Sequence, residues 1–279
     1  MKNNDCVLCG FENPKATVTA LVIKDGKLLV VRRNEEPYKD HWDFIGGYIQ
    51  KNETPEMALK REIKEETNCE VQELTYIGAF SGSASYGEYT YPILSLAYLV
   101  EITGEIRLNE ENSEFTWIPL TSPEVVAFDS NQKIFNHLKE KFQYDLAMIR
   151  NLVAQLDPMA KVDEQSLYKA IFDGYISRIE ENGKIIGMGW IFPRQTMLRR
   201  QAVIEDMIVD QTYRGCGLGE KILHDLLQWA KAKGIEVVEL TTNPKRIAAN
   251  NLYQKVGFKF HETNHYLLNL DTYGENTTC

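Results

Sequence analysis

Residues 47–69 read GYIQKNETPEMALKREIKEETNC, and this stretch decides the fold of the first half of the chain. Glu62, Glu65 and Glu66 stand three and four positions apart, so on a helix they share one face. Carboxylates are rarely buried without partners, and a metal ion is the simplest way to neutralise three of them. Hard divalent ions such as Mg²⁺ prefer oxygen ligands of this kind. The stretch therefore predicts a helix that carries a metal site.

Local signals mark both ends of this helix. Thr54 is suited to the N-cap position, and Pro55 is suited to the first helical turn. Asn68 is suited to the left-handed conformation that ends a helix. Leu59 and Ile63 supply an apolar stripe on the face opposite the glutamates. We therefore expect the helix to begin at residues 54–55 and to end before Asn68.

The complete pattern is Gly47, five residues, Glu53, seven residues, and then residues 61–66, REIKEE. It resembles the Nudix box, with Ile45 where the family usually has proline, and with Asn68-Cys69 where it usually has glycine and an aliphatic residue. A solvated acidic helix is the competing interpretation, but it does not explain why Gly47 and Arg61 stand at fixed distances from the glutamates. The resemblance implies the Nudix α/β/α sandwich and hydrolysis of a nucleoside diphosphate linked to another moiety.

The resemblance also implies roles for individual residues. The implied metal ligands, for Mg²⁺ or Mn²⁺, are Glu62, Glu65, Glu66 and the carbonyl of Gly46. Glu53 and Arg61 would form an ion pair that orients these ligands. The general base stays open among three carboxylates, which are Glu62, Glu111 and Glu114. The last two lie in an acidic run that is equally well explained as a solvated loop.

The sequence says less about the substrate of the first half than about its metal site. The flanking sequence resembles Nudix members that act on ADP-ribose or NADH-type dinucleotides, without the extra motif of the NADH-cleaving branch. Tyr86, Tyr89 and Tyr91 could stack on a base, although aromatic residues in strands more often serve packing.

Length and composition suit two ordinary globular domains. The 279 residues are 43% hydrophobic and 25% charged, with a net charge of −9. This acidic balance argues against a nucleic-acid partner. No apolar run is long enough for a membrane span, and the N-terminus does not resemble a signal peptide, so we expect a soluble cytoplasmic protein.

Five cysteines give no disulfide framework. Cys6 and Cys9 form a CxxC pair, which resembles half of a zinc ribbon. A structural zinc site needs four ligands, so residues 1–14 are interpreted as a ribbon remnant or a vestige without metal.

The second half carries a different motif. An apolar strand is predicted at Val203–Val209, a glycine-rich loop follows, and a helix is predicted at Glu220–Lys233 with Gly234 as its stop. Backbone N–H groups of such a loop at a helix N-terminus can bind phosphate. The loop lacks the Gly-Lys-Ser/Thr ending of a P-loop, and the acidic residue of a Rossmann site is missing.

Arg214-x-x-Gly217-x-Gly219 resembles the acetyl-CoA pyrophosphate loop of the GNAT acetyltransferases. Residues 249–258, ANNLYQKVGF, resemble the second signature of that family. The resemblance implies a mixed-sheet α/β domain that transfers an acetyl group from acetyl-CoA to an amine. The implied acetyl-CoA contacts are Met207, Ile208, Val209, Arg214, Gly215, Cys216, Gly217, Leu218, Gly219, Asn250 and Tyr253.

The same resemblance implies catalytic roles in acetyl transfer. Glu205 or Asp206 would act as the base, through water. Tyr253 would be the general acid, since a phenol with a pKa near 10 can protonate a leaving thiolate. Core packing is the competing role for Tyr253.

We therefore expect an α+β protein of two domains, with a Nudix domain at residues 1–142 and a GNAT domain at residues 143–279. The predicted function is bifunctional, a metal-dependent hydrolase joined to an acetyltransferase, with small-molecule substrates. The alternative is that one domain is a catalytically weak module that senses a nucleotide or coenzyme A and regulates the other. The sequence leaves a homodimer open.

Overall fold

A computed structural model describes residues 12–142, 146–156, 163–268 and 270. Cys6 and Cys9 lie outside the described residues. The first half contains β1 (Lys15–Leu21), β2 (Ile23–Lys24), β3 (Lys27–Arg33), β4 (Trp42–Asp43), β5 (Ile45–Tyr48), α1 (Pro55–Thr67), β6 (Glu70–Tyr86), β7 (Tyr89–Thr103), β8 (Asn112–Pro119) and α2 (Asp129–Lys141).

The second half contains α3 (Leu146–Val153), α4 (Glu164–Asp173), β9 (Tyr175–Glu181), β10 (Lys184–Gln195), β11 (Arg200–Val209), a 3₁₀ turn (Gln211–Tyr213), α5 (Leu218–Ala232), β12 (Val237–Leu240) and α6 (Ile247–Val256). No helix in the described part of the chain is long and apolar enough to cross a membrane.

Two sheets build the first domain. One has the order β5-β1-β7-β6, in which β1 and β7 run parallel. The other contains β2, β3 and β4, with β8 paired to β3. Helix α1 packs on β1 and β5 through Ala58, Leu59 and Ile63, which are fully buried. Helix α2 packs on the β6–β7 pair. The mixed strands and flanking helices confirm the predicted α+β sandwich.

The ends of α1 follow the predicted local rules. The Thr54 hydroxyl accepts the N–H of Met57 at 3.3 Å, and Pro55 opens the helix. Asn68 ends the helix with a φ of 59°, in the left-handed region, and donates its N–H to the Lys64 carbonyl. These contacts confirm that the helix boundaries are encoded locally.

The β6–β7 hairpin is longer than the sequence predicted. Apolar residues in the sequence predict one strand at residues 75–80 and another at residues 93–102, whereas β6 contains 17 residues and β7 contains 15. The extension runs through Ser81–Ser85, which pairs with β7 by backbone hydrogen bonds. Small polar residues carry no alternating hydrophobic signal, so this pairing left no trace in the pattern.

The second domain is built on a four-stranded sheet of order β12-β11-β10-β9. Strands β9, β10 and β11 are antiparallel, and β11 and β12 run parallel. Helix α5 covers one face through Ile222, Leu223 and Leu226, all fully buried. This arrangement confirms the predicted mixed-sheet α/β domain.

The two domains share one continuous hydrophobic cluster. Phe142, which follows α2, places its ring 5.3 Å from Tyr168 and 5.4 Å from Phe172, both on α4. Tyr168 is completely buried. The cluster continues from there into β9, β10 and β11 of the second sheet. No strongly polar layer separates the halves at this point.

Hydrogen bonds reinforce this contact at the turn between β2 and β3. The Glu164 carboxylate, at the start of α4, accepts the backbone N–H of Asp25 at 3.1 Å and that of Gly26 at 3.0 Å. The Tyr168 hydroxyl donates to Glu164 and accepts the Gly26 N–H at 3.1 Å. We call these four residues the hairpin clamp. It fixes α4 of the second domain to a turn of the first.

Candidate active sites

Arg61 organises the acidic face of α1. Its guanidinium binds both oxygens of Glu53, at 2.7 and 3.0 Å, and donates to the Tyr48 carbonyl at 3.0 Å. The same side chain lies 2.8 Å from Glu62 and 3.0 Å from Glu65. The hydrogen bond from Arg61 lowers the pKa of Glu53. The predicted Glu53–Arg61 pair is therefore part of a larger network that also gathers two of the predicted metal ligands.

Glu66 is oriented differently from the other glutamates, because it points inward. It is only 5% exposed. One oxygen accepts the Gly46 N–H at 3.0 Å, and the other accepts the Asn112 side-chain N–H at 2.7 Å. Desolvation outweighs these two bonds and raises the pKa of Glu66 to about 8. A buried carboxylate held in this way is suited to a neighbouring cation.

Asn112 was not singled out from the sequence. It stands at the start of β8, in the same acidic run that contains Glu111 and Glu114, and only carboxylates in that run were considered. Its position next to Glu111 was the one sequence feature that could have pointed to Asn112. A side-chain amide at such a position can orient a carboxylate without adding charge.

The Glu62 carboxylate lies close to the backbone of strand β5. A Cβ on Gly47 would lie 2.2 Å from the nearer Glu62 oxygen, so a glycine is needed for this approach. Burial raises the pKa of Glu62, and the charge of Glu111 acts in the same direction. Glu114 lies in a separate ion pair with Arg32, at 2.8 Å. Of Glu111 and Glu114, Glu111 is therefore the one whose charge acts on the Glu62 carboxylate.

Among the described residues, no three His, Cys, Asp or Glu side chains converge in a group ready to hold a metal ion. The physical reason is Arg61, which draws Glu62 and Glu65 onto its guanidinium. The donor set still fits a hard divalent cation, because it consists of carboxylate oxygens, one of them deeply buried on Glu66. A cation there would replace Arg61 as the partner of these carboxylates.

A buried polar network lies beside this site, between the sheet and α2. Asn131 donates to Asp43 at 2.6 Å and accepts a hydrogen bond from Thr19 at 3.1 Å. Thr19 in turn lies 2.6 Å from the Ser95 hydroxyl. Burial raises the pKa of Asp43 to about 6, although Arg33 lies 3.4 Å away. The network joins β1, β4 and β7 to α2. None of its four side chains belongs to the glutamate pattern of residues 47–69.

The three tyrosines proposed for base stacking lie in different environments. Tyr86 and Tyr89 flank the tip of the β6–β7 hairpin and are 58% and 74% exposed. Tyr91 shares a 2.6 Å hydrogen bond with Tyr48, and the Lys15 ammonium lies 4.2 Å from the centre of its ring. Only Tyr91 therefore contacts a residue of the glycine-containing strand β5.

The second candidate site begins where β11 and β12 separate. Their pairing covers only Gln201–Ile204 on β11. Beyond it, the register between β10 and β11 shifts, and Asp206 adopts a positive φ of 52°. This bulge leaves Met207–Val209 unpaired on the β12 side. These three unpaired residues are among those for which the resemblance implied contacts with acetyl-CoA.

The loop that follows presents backbone donors at the start of α5. Gly215 and Gly217 have φ values of 82° and 78°, which glycine adopts without strain. Gly217 is the N-cap of α5 and supplies no side chain to cap its N–H groups. The Arg214 guanidinium donates to the Val209 carbonyl at 3.1 Å. The first turn of α5 therefore offers uncapped N–H groups to an anion.

Three predicted catalytic side chains lie around the bulge. Tyr253 on α6 is 9% exposed, and burial raises its pKa, with the charge of Glu205 acting in the same direction. Burial also raises the pKa values of Glu205 and Asp206. Asn250 instead donates to the carbonyls of Asn243 and Arg246, at 3.1 and 3.0 Å, at the start of α6. Cys216 is an exposed free thiol.

Comparisons with known proteins give one family match in each half of the chain. Residues 13–138 match the NUDIX domain model, and residues 133–258 match the model of the acetyltransferase (GNAT) family. A NUDIX domain is therefore found in the first half of the chain and an acetyltransferase (GNAT) domain in the second.

Individual relatives match one half each. An ADP-ribose pyrophosphatase of Methanocaldococcus jannaschii is 26% identical over 132 residues, which cover 47% of this chain and 77% of that protein. A glucosamine 6-phosphate N-acetyltransferase of Trypanosoma brucei brucei is 35% identical over 86 residues, which cover 30% of this chain and 56% of that protein.

A similar solved structure is the MutT NUDIX hydrolase of Burkholderia pseudomallei. It is 22% identical, with a TM-score of 0.41, and the match covers 45% of this chain and 98% of that one.

Proposed function

We propose that the first domain hydrolyses a nucleoside diphosphate linked to another moiety, of the ADP-ribose type, with Mg²⁺ or Mn²⁺. The observation that carries this proposal is the buried Glu66, held by Gly46 and Asn112 beside Glu62. The similarity to an ADP-ribose pyrophosphatase supports the substrate class. When bound, the metal would neutralise phosphate charge and lower the pKa of a bound water.

The residues of this chain would position the reacting groups. Glu62, Glu65, Glu66 and the Gly46 carbonyl would hold the cation. Arg61 keeps the carboxylates close together before the cation binds, and Glu53 fixes the guanidinium from the other side. The charge of Glu111 acts on Glu62, so Glu111 is the better placed loop carboxylate to accept a proton from the attacking water. Hydrolysis then breaks one P–O bond of the diphosphate and forms another to the water oxygen.

We propose that the second domain transfers an acetyl group from acetyl-CoA to an amine. The backbone at Met207–Val209 would align the pantetheine arm, and the loop at Arg214–Gly219 would bind the pyrophosphate. The amine nitrogen forms a bond to the acetyl carbon, and the carbon–sulfur bond breaks. Glu205 or Asp206 would accept the proton of the amine through water, and Tyr253 would give its proton to the thiolate.

The burial of Glu205 and Tyr253 supports these roles. Burial raises the pKa of the Glu205 carboxyl and so makes it a stronger base. The Tyr253 phenol carries its proton at neutral pH, since its ordinary pKa is near 10 and burial raises that pKa further. Glu205 lies on β11 next to the bulge, and its charge acts on the Tyr253 phenol. The similarity to an N-acetyltransferase supports an amine acceptor.

An assay on the whole chain tests both proposals. The protein is incubated with Mg²⁺ and a panel of nucleoside diphosphate derivatives that includes ADP-ribose, and with acetyl-CoA and a panel of amines. Products are identified by mass. Formation of AMP and ribose 5-phosphate from ADP-ribose is expected for the first domain. Acetyl-CoA consumption with an acetylated amine is expected for the second. If the protein hydrolyses none of the nucleoside diphosphate derivatives, the hydrolase proposal is refuted.

One observation favours a second candidate, in which the first domain senses a nucleotide and regulates the acetyltransferase. Arg61 occupies Glu62 and Glu65, so these two carboxylates already have a cationic partner without a metal. Tight nucleotide binding without Mg²⁺-dependent turnover, together with a change in acetyl transfer, is the outcome this candidate predicts. Turnover of any panel compound at an ordinary enzymatic rate excludes it.

We place the boundary between the domains after Phe142, so that residues 1–142 form the hydrolase and residues 143–279 the acetyltransferase. The two family matches overlap at residues 133–138, within α2. That overlap supports a junction near the end of α2.

A further inference from the structure

A cleft of about 420 Å³ opens at the junction of the two domains, away from both candidate active sites. Its lining includes Lys141 at the end of α2, and Asp173 and Gly174 at the end of α4. Arg200, at the start of β11, and Lys233, at the end of α5, complete its charged rim. The cleft is therefore lined by the last helix of the first domain and by four elements of the second, which are α4, β10, β11 and α5.

The charge of this cleft is opposite to that of the chain. Lys141, Arg200 and Lys233 contribute three positive charges, and Asp173 contributes one negative charge. The whole chain carries a net charge of −9. None of the three cations forms an ion pair with a carboxylate in the described part of the chain. Such unpaired cations around a concave surface attract anions.

The cleft has fixed walls and a buried polar floor. Trp229 lines the cleft, stacks on Tyr175 with an interplanar angle of 7°, and has the Lys233 ammonium 6.0 Å from the centre of its ring. Gly174 packs so tightly that a Cβ there would lie 2.3 Å from the Ile191 carbonyl oxygen. Gln201, in the floor, is only 6% exposed and accepts a hydrogen bond from Arg194 at 3.3 Å. Such preformed surfaces lose little entropy when a ligand binds.

The acetyl-CoA loop is too far away for this cleft to belong to it. The loop precedes residue 218 at the start of α5, whereas Trp229 and Lys233 lie at the opposite end of that helix. At 1.5 Å per residue, a helix of 15 residues separates the two places by about 20 Å.

We propose that this junction cleft binds a small organic phosphate. Lys141, Arg200 and Lys233 would bind the phosphate oxygens, and Trp229 would contact the organic body. The three cations favour an anionic ligand. Phosphate is favoured over a single carboxylate because its oxygens can accept hydrogen bonds from all three cations at once. The volume accommodates a sugar phosphate or a nucleoside monophosphate.

The test uses the full-length protein with EDTA and saturating coenzyme A, so that the acetyl-CoA loop is occupied. Inorganic phosphate, ribose 5-phosphate and AMP are titrated by calorimetry. The pocket variant combines Arg200→Gln with Lys233→Gln. Its matched control combines Arg199→Gln with Lys231→Gln, which remove the same charge from exposed neighbours that do not line the cleft. Circular dichroism verifies that both variants are folded.

Wild-type protein and control are expected to bind at least one organic phosphate, with its dissociation constant about tenfold or more higher in the pocket variant. Asp173→Asn removes the opposing charge and is expected to tighten binding, which a folding defect would not do. Binding should weaken as salt is added. The proposal is overturned by the absence of binding of all three probes to the wild-type protein, or by equal affinities of the pocket variant and its control.

Discussion

The hairpin clamp predicts that the two domains unfold as one unit and that Glu164→Gln weakens both. Glu164 accepts two backbone N–H groups of the first domain and the hydroxyl of Tyr168. Glutamine has the same shape, but its NH₂ group would face one of those N–H donors. The Asp25–Gly26 turn would then lose one bond and meet a repulsive contact.

The magnitude follows from the bonds that are lost. A hydrogen bond to a charged group contributes about 1.5–3 kcal/mol, and an acidic residue in the first turn of a helix adds about 0.5 kcal/mol. We therefore expect Glu164→Gln to lower the free energy of unfolding by about 2–3 kcal/mol. Tyr168→Phe removes one hydroxyl from a fully buried position and should lower it by about 1–2 kcal/mol. Glu101→Gln, on an exposed position of β7, serves as the matched control and should change it by less than about 0.5 kcal/mol.

Tryptophan fluorescence can follow each domain separately. Trp42 and Trp117 lie in the first domain, and Trp190 and Trp229 in the second. Two variants, each with one of these pairs replaced by phenylalanine, are unfolded in urea. We expect their midpoints to coincide and Glu164→Gln to shift both midpoints together. Well separated transitions, or a Glu164→Gln shift confined to the second domain, would show that the shared core does not couple the domains.

Two further predictions concern the first domain. The folded pKa of Asp43 is raised from 3.8 to about 6, so the folded state binds more protons, and stability falls as the pH rises through that window. The shift corresponds to about 3 kcal/mol, and Asp43→Asn should remove this loss, so that its stability relative to the wild type increases between about pH 4 and about pH 6 in urea titrations. An identical pH profile in the variant would contradict the raised pKa. Gly47→Ala should displace the flexible end of Glu62 and lower hydrolysis by about 100-fold with little loss of stability. Gly46→Ala should instead cost about 3 kcal/mol of stability, because its Cβ would lie 2.1 Å from the Val18 carbonyl oxygen. Similar melting temperatures for these two variants would contradict this contrast.

Features encoded by neighbouring residues were predictable from the sequence. Thr54, Pro55 and Asn68 determine where α1 begins and ends through contacts within a few residues. The turn at Asp25–Gly26 is equally local, and both residues adopt the positive φ that a tight hairpin needs. The alignment of the glutamates on one helix also follows from spacing alone.

Features that depend on distant residues were not predictable in this way. Asn112 lies 46 positions from Glu66, and Asn131 lies 88 positions from Asp43, so only the folded chain brings them together. Arg61 forms ion pairs with two predicted metal ligands, Glu62 and Glu65. These contacts depend on side-chain torsions, which the spacing of residues in the sequence does not determine. The hairpin clamp joins residues about 140 positions apart, and no pattern within either domain records it.

The central claim is that one chain carries two separate active sites, and paired variants test it most directly. Hydrolysis of ADP-ribose with Mg²⁺ and acetyl transfer from acetyl-CoA are measured on the same preparations of wild type, Glu66→Gln and Tyr253→Phe. We expect Glu66→Gln to lower hydrolysis by about 100-fold and to leave acetyl transfer unchanged. Tyr253→Phe should lower acetyl transfer by about 100-fold, with acetyl-CoA binding and hydrolysis retained. Wild-type hydrolysis in Glu66→Gln, or loss of both activities in either folded variant, would contradict the account.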